Sequence, residues 1–254
     1  MSIELGLTPD GRWQIETDAL ISTAAAAGFS ALGLSSERAD GQARTALEAA
    51  GIRCHELLAL VFTAEEGEML SAAAALAQRA GEVGAEWILT VFQAGLDEGA
   101  AALLRACAEI FSEQGSKMAV EFSPLGAVRT LREGLEVVEA IGIERSGLLI
   151  DTWHFSAGES TWEDLEAVPL DAIAYVQFAD ALAPESESLG RETMHRRAMP
   201  GEGTLELDRF SSILLGRGWE GLVSVEVLSA ELRELPVDEF ARRAHDAARA
   251  FWPS

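Results

Sequence analysis

Four oxygen-bearing side chains stand at or near the ends of separate apolar runs in the second half of the sequence: Glu121 in AVEFSP, Asp151 in GLLIDTWHF, Gln177 in IAYVQFAD and Glu226 in GLVSVEV. One carboxylate at the end of a buried strand is ordinarily paired with an arginine. Four acceptors at matching places on four successive strands point instead to convergence on a divalent cation. Three carboxylates confined together repel one another and raise each other's pKa until a cation resolves the repulsion. The set is all oxygen if Gln177 binds through its amide carbonyl. Hard ions suit such donors, so Mn²⁺ or Mg²⁺ is expected ahead of Co²⁺ or Zn²⁺, the last preferring nitrogen and sulfur.

Bringing four strand ends to one ion demands a fold that gathers strand ends. Short β-branched or aromatic runs begin at Ile3, Ala31, Ile52, Trp87, Lys117, Gly147, Ile173 and Gly221, and most are followed by apolar residues at helical spacing, as in TDALISTAAAAG, LREGLEVVEAIG and LDRFSSILLGRG. Six of these helical patterns close on glycine, at Gly28, Gly51, Gly84, Gly115, Gly142 and Gly218. Eight β-then-α units predict an α/β chain forming one (β/α)8 TIM barrel over residues 1–254, with a doubly wound sheet as the rival. All strands of a parallel barrel point their C-terminal ends to one rim, where neighbours lie about 4.8 Å apart. The longest stretch without a helical or strand pattern, ALAPESESLGRETMHRRAMPGEGTLE, leaves that rim after the seventh strand.

Composition narrows the function classes. Lys and Arg number 19 against 42 Asp and Glu, a formal charge of −23 that repels phosphate backbones and argues against nucleic acid as a partner. No apolar run reaches the roughly 20 residues needed to cross a bilayer, and MSIELGLTPD has no basic segment leading into an apolar one, so a cytoplasmic protein without membrane attachment is expected. Cys54 and Cys107 are too few for a disulfide framework and read as small buried hydrophobes.

Taken in order along the chain, Glu121 in VEFSP, Asp151-Thr152-Trp153-His154, Gln177-Phe178-Ala179-Asp180, Arg197 with Pro200-Gly201-Glu202-Gly203, and Glu226 in SVEV resemble the xylose isomerase-like superfamily of sugar isomerases, epimerases and metal-dependent lyases. The resemblance covers almost the whole chain. It implies that Glu121, Asp151 and Glu226 bind the metal together with a strand-seven residue, usually histidine and here Gln177, and that Glu121 and Glu226 double as the acid/base pair. His154 would hydrogen-bond a substrate oxygen or shuttle a proton, unless it only caps the loop that follows. Arg197 would clamp a substrate oxygen, carboxylate or phosphate, or else be an exposed loop residue. Asp180 would orient Gln177 or Arg197. His55, with Glu56 beside it, would line the pocket or sit in the core, and Trp153, with Trp13 and Phe92, would supply an apolar floor or simply core packing.

The expected activity is metal-dependent isomerisation or epimerisation of a small ketose, aldose or related polyhydroxy compound or hydroxy-acid. The ion would polarise a carbonyl and two carboxylates would move the proton next to it. The alternative is a lyase, since glutamine at the strand-seven place also occurs in dehydratases that act on 3-dehydroshikimate, which the HRRAMPGEG segment resembles too. The repair nucleases of this superfold use additional histidines for a zinc cluster. Four histidines and a strongly acidic chain argue against that class. A non-catalytic binding protein on the same scaffold is the remaining reading. The C-terminal pattern ARRAHDAARAFW offers a surface for a homo-oligomer.

Overall fold

A computed structural model describes residues 3–253. Eight parallel strands close into a barrel: β1 (Glu4–Leu7), β2 (Ala31–Ser35), β3 (Arg53–Phe62), β4 (Trp87–Phe92), β5 (Lys117–Glu121), β6 (Ser146–Asp151), β7 (Ile173–Phe178) and, after a small ribbon of β8 (Asp180–Ala181) and β9 (Arg197–Ala198), β10 (Leu222–Val225). The order around the barrel is β1-β10-β7-β6-β5-β4-β3-β2, so every strand pairs with its predecessor and successor and no open edge remains. Each barrel strand lies on a run predicted from sequence. The closed barrel is the expected fold, and the doubly wound sheet is excluded.

The connecting helices are α1 (Thr17–Ala27), α2 (Gly41–Ala50), α3 (Glu66–Val83), α4 (Glu98–Glu113), α5 (Leu131–Ile141), α6 (Thr152–Ala157), α7 (Trp162–Ala167), α8 (Leu189–His195), α9 (Leu207–Gly216) and α10 (Val237–Phe251). Their starts follow capping chemistry. Asp40 accepts from the Gln42 and Ala43 amides, Asp97 from that of Ala100, and Thr130 with Glu133 forms a reciprocal capping box on α5. The six glycines expected to end helices all take positive φ, from 68° to 106°, where a side chain would be strained. The stretch after β7, which sequence left irregular, carries α8 and the β8–β9 ribbon. Two short helices, α6 and α7, also went unpredicted, because six residues hold fewer than two turns of apolar periodicity. No helix among the described residues is long and apolar enough to cross a membrane.

Inside the barrel the layers change character along the axis. Ala31, Trp87, Leu89, Ala119, Leu149, Tyr175 and Leu222 plug the end formed by the strands' N-terminal halves. Polar side chains occupy the other half. Outside, helices pack on the sheet through one continuous apolar layer. One face of α10 packs within the chain, where Phe240, Ala241, Ala244 and Ala248 are buried. The Trp252 ring that follows is fully buried, edge-on to Phe178 at 5.5 Å and to Trp219 at 6.0 Å. Cys54 and Cys107 are free and buried, as expected.

Trp252 thus closes the outer layer over β7 and β10. Replacing it by alanine leaves a cavity the surrounding rings cannot fill, and is expected to lower the unfolding free energy by about 3–5 kcal/mol in urea titrations, whereas an exposed substitution such as Arg242→Ala should change it by less than about 0.5 kcal/mol.

Candidate active site and metal centre

Parallel register lifts the acids to one mouth. Asp151 on β6 is paired with Gln177 on β7, Glu121 on β5 is paired with Leu149 two residues below Asp151, and Gln177 is paired on its other side with Ser224, two residues before Glu226. Residues paired across parallel strands share a face, so all four point into the barrel. One ligand atom from each of Glu121, Asp151 and His154 can gather within 4.8 Å of the others. Asp151 reaches this place because it ends β6 and caps α6, its Oδ1 accepting from the amides of Trp153 (2.6 Å) and His154 (2.9 Å). His154 Nε2 lies 3.5 Å from Glu121 Oε1, and its Nδ1 lies 3.2 Å from Ser123 Oγ.

Arg197 ties the fourth acid in. Its Nη1 donates to Asp151 Oδ2 at 2.7 Å and to Glu226 Oε2 at 3.0 Å, while Nη2 donates to Thr193 Oγ1 at 2.9 Å. The guanidinium is buried, so the exposed-loop reading of Arg197 fails; Nη1 is shared by two acids of the site, while Nε and Nη2 donate to Thr193. Burial pushes Asp151 up, but Arg197 and His154 outweigh it and leave the carboxyl below its ordinary range. Burial raises Glu226 to about 8, helped by the charges of Asp151, Glu56 and Asp10 and opposed by Arg197. Burial, then Asp151 and Glu226, push Glu121 well above the carboxylate range. Burial lowers His154 to about 4 against the pull of Asp151.

The acids open on a cleft of about 390 Å³. Glu121, His154, Arg197 and Glu226 form its polar floor, and Leu58, Leu89, Val91, Phe92, Val128 and Leu228 are among its walls. Trp153, proposed as apolar floor, lies behind His154, edge-on at 5.3 Å, with the Arg197 guanidinium 5.8 Å above its ring. Trp13 packs on Phe240 in the core, while Phe92 does line the cleft. Asp180 spends its oxygens on backbone amides, Oδ1 on Ala181 and Leu205 and Oδ2 on Gly201 and Gly203, rather than on Gln177 or Arg197. It shapes the loop that follows Arg197. A Cβ at Gly203 would stand 2.3 Å from Asp180 Oδ1, which explains the glycine.

His55 is fully buried and is the extra residue of a bulge in β3, where Leu32 pairs with Cys54 but Gly33 with Glu56. It does not reach the cleft. Neither ring nitrogen makes a hydrogen bond, although Nε2 is 3.3 Å from Glu56 Oε1. The sequence reading missed Glu56 as a site residue. Its carboxylate accepts from the hydroxyls of Thr8 and Tyr175 and from Gln177 Nε2 at 3.4 Å. Burial raises Glu56, but His55, Thr8 and Tyr175 outweigh it and hold the carboxyl below its ordinary range. The available signal was an acid inside an otherwise apolar strand, ELLALVF.

A resident divalent ion fits these residues. Gln177 Oε1 is a buried carbonyl oxygen with no hydrogen-bond partner, and buried acceptors are rarely left so. Glu121 has no cation of its own, and the donor set is oxygen with one imidazole.

Comparison with known proteins agrees with this architecture. A family model described as xylose isomerase-like TIM barrel matches residues 21–250. An inosose isomerase of Halalkalibacterium halodurans is 35% identical over 146 residues, which cover 57% of this chain and 51% of that protein. A 3-dehydroshikimate dehydratase of Pseudomonas putida is 25% identical over 139 residues, covering 54% of this chain and 22% of that protein. The chain therefore spans about half the length of the inosose isomerase it matches. Among solved structures, the IOLI protein with a bound zinc atom superposes with a TM-score of 0.84 at 20% identity over 98% of this chain and 97% of that one. A D-allulose 3-epimerase from Methylomonas sp. gives 0.74 at 15% identity over 98% of each chain. At such identities these structures share the fold.

The charge arrangement sets a pH dependence in metal-free protein. Glu226 is an acid whose native pKa, about 8, lies above its ordinary 4.5, so it favours the folded state below pH 4.5 and loses that stabilisation as pH rises through about 8. His154, native about 4 against 6.5, has the opposite slope, confined between those values. Between pH 6.5 and 8 only the carboxyls act. Urea titrations in EDTA should therefore show stability falling by on the order of 2 kcal/mol or more over that interval, with a shallower fall in Glu226→Gln, where Glu121 alone keeps a raised pKa; parallel curves for the two proteins would contradict the assignment.

Proposed function

Because the chain belongs to the xylose isomerase-like TIM barrel family, we propose that it is a divalent-metal-dependent isomerase or epimerase of a small neutral polyhydroxy ketone, an inosose or a related sugar. The observation that carries the reading is the pair Glu121 and Glu226, two carboxyls of raised pKa that face one cleft from opposite sides of Asp151. Held by Glu121, Asp151, Gln177 and Glu226, with His154 within reach, an ion would polarise the substrate carbonyl and acidify the neighbouring C–H. The zinc atom bound by the IOLI protein supports a divalent ion in a chain of this fold; the all-oxygen part of the donor set favours Mn²⁺ or Mg²⁺.

The remaining work falls to the chain's own side chains. One of Glu121 and Glu226, ionised, takes the proton from the carbon next to the carbonyl, and the other, protonated, returns a proton to that carbon's opposite face or to the adjacent position. One C–H bond breaks and another forms, with no change in overall oxidation state. His154 is neutral near pH 7 and stands 3.5 Å from Glu121 Oε1, placed to exchange a proton with it or to hydrogen-bond a substrate hydroxyl. Arg197 keeps Asp151 and Glu226 in register. The apolar walls limit water at the reacting carbon.

Dehydration of 3-dehydroshikimate is the second reading, favoured by the match to the Pseudomonas putida enzyme. It begins with the same proton abstraction. Its substrate, however, carries a carboxylate, and Arg197 is the one permanent cation among the described residues lining the cleft, already bonded to two acids. A neutral polyol needs no such partner.

Purified protein loaded with Mn²⁺ is expected to convert an inosose or a member of a ketose panel into an isomer resolved by chromatography, and Glu226→Gln to lower kcat by about 10²–10⁴-fold with an unchanged circular dichroism spectrum. A conjugated ultraviolet-absorbing product from 3-dehydroshikimate, without sugar isomers, would replace the isomerase reading by the lyase.

A further inference from the structure

Glu56 has no part in the chemistry described above, yet it is fully buried at the centre of the barrel, and its surroundings are built for it. It projects from β3, and the residue it meets lies on β7, four places away in an eight-stranded ring and therefore directly across the axis. Three side chains donate to its carboxylate, Thr8 from the end of β1 and Tyr175 and Gln177 both from β7. The Thr8 hydroxyl, itself in contact with Ser224 Oγ at 2.7 Å, donates to Oε1; the Tyr175 hydroxyl and Gln177 Nε2 donate to Oε2. Room for the carboxylate comes from β2. Its paired residue there is Gly33, where a Cβ would lie 2.5 Å from Glu56 Oε1 and 2.9 Å from its Cγ.

This arrangement decides which way round the Gln177 amide sits. A side-chain amide offers a donor nitrogen and an acceptor oxygen of nearly equal size, and only its partners distinguish them. A carboxylate accepts, so the amide nitrogen turns to Glu56. The carbonyl oxygen then points away from it, buried and unpartnered, on a strand whose paired neighbour is Asp151. We propose that Glu56 is a positioning residue that locks the Gln177 amide across the barrel and thereby presents its carbonyl oxygen, not its NH₂, to the metal. The inference rests on the metal-dependent reading above and deepens it, because it assigns the choice of an oxygen donor to a residue outside the ligand set.

Titration calorimetry with MnCl₂ on the full chain tests it through four proteins: unsubstituted, Glu56→Gln, Gln177→Leu and the double variant. In Glu56→Gln the new amide lets Gln177 turn its oxygen inward, so the Mn²⁺ dissociation constant should rise tenfold or more, in the range found when groups that orient a ligand are removed. Gln177→Leu should weaken binding similarly, and the double variant should be no weaker than Gln177→Leu. Wild-type affinity in Glu56→Gln, or additive losses in the double variant, would overturn the proposal, the latter because Glu56 would then act as a charge rather than through the amide. If circular dichroism shows Glu56→Gln unfolded, Glu56→Asp decides: it keeps the negative charge but shortens the side chain by one methylene, which withdraws the carboxylate from a contact already 3.4 Å long, and should raise the dissociation constant several-fold, an unchanged value overturning the idea. An unsubstituted protein that takes up no Mn²⁺ overturns the metal-dependent reading and this inference together, whereas tight binding indifferent to Glu56 overturns the inference alone.

Discussion

Four carboxylates, Glu56, Glu121, Asp151 and Glu226, point into the interior of one barrel, and a single guanidinium accompanies them. Charges removed from water are tolerated only when paired or hydrogen-bonded, and each of the four meets that requirement differently. Asp151 receives two backbone amides and Arg197. Glu226 shares the same Arg197 nitrogen. Glu56 receives hydroxyls and an amide, with the His55 ring alongside. Glu121 receives only the neutral edge of His154, and burial with the charges of Asp151 and Glu226 pushes its pKa well above the carboxylate range. The least compensated carboxyl therefore sits at the cleft, not in the layer beneath it. That location is where a divalent ion resolves the repulsion and where a carboxyl of raised pKa can hold or release a proton near neutral pH.

The barrel makes this possible because it fixes heights as well as directions. In a closed parallel sheet the register of each pair determines which side chains share a layer. Here it stacks Tyr175 and Leu149 below, Gln177 and Asp151 above them, and Glu226 two residues beyond Ser224. The apolar plug excludes water from under the polar layer, so the hydrogen bonds of Glu56 operate without competition from solvent. Two glycines matter for the same reason. Gly33 leaves space for a carboxylate and Gly203 for the carboxylate of Asp180, each at a distance no Cβ could occupy.

Much of this was legible in the sequence because it is written in local pattern. The eight strands follow from β-branched and aromatic runs, the helices from apolar spacing, and their ends from glycines that adopt positive φ. The strand-end acids were legible because strand ends of a barrel share a rim, a rule of topology that needs no coordinates. What escaped depends on contacts between distant residues. Arg197 lies 46 residues from Asp151 and 29 from Glu226, and only the fold shows that it serves both. Asp180 was placed near Gln177 by sequence, but backbone direction sends it to the amides of the following loop. His55 and Glu56 exchange importance because a bulge in β3 breaks the alternation that sequence assumes. The helix inside the segment after β7 is short, with a largely polar sequence that has no periodic stripe to betray it.

The surface charge bears on the same site from outside. A chain with 42 acids and 19 bases sets up a negative potential that raises the local concentration of cations and repels anions. For a carboxylated or phosphorylated substrate that field is an obstacle, to be overcome by a strong anion site at the mouth, and the cleft commits its one arginine elsewhere. For a neutral polyhydroxy ketone the field is indifferent. For a divalent ion it is favourable at long range, and the acids at the mouth continue that attraction to contact as the ion displaces the proton of Glu121. Long-range field, cleft lining and buried donors therefore select in one direction, towards a cation held by the protein and an uncharged molecule brought to it.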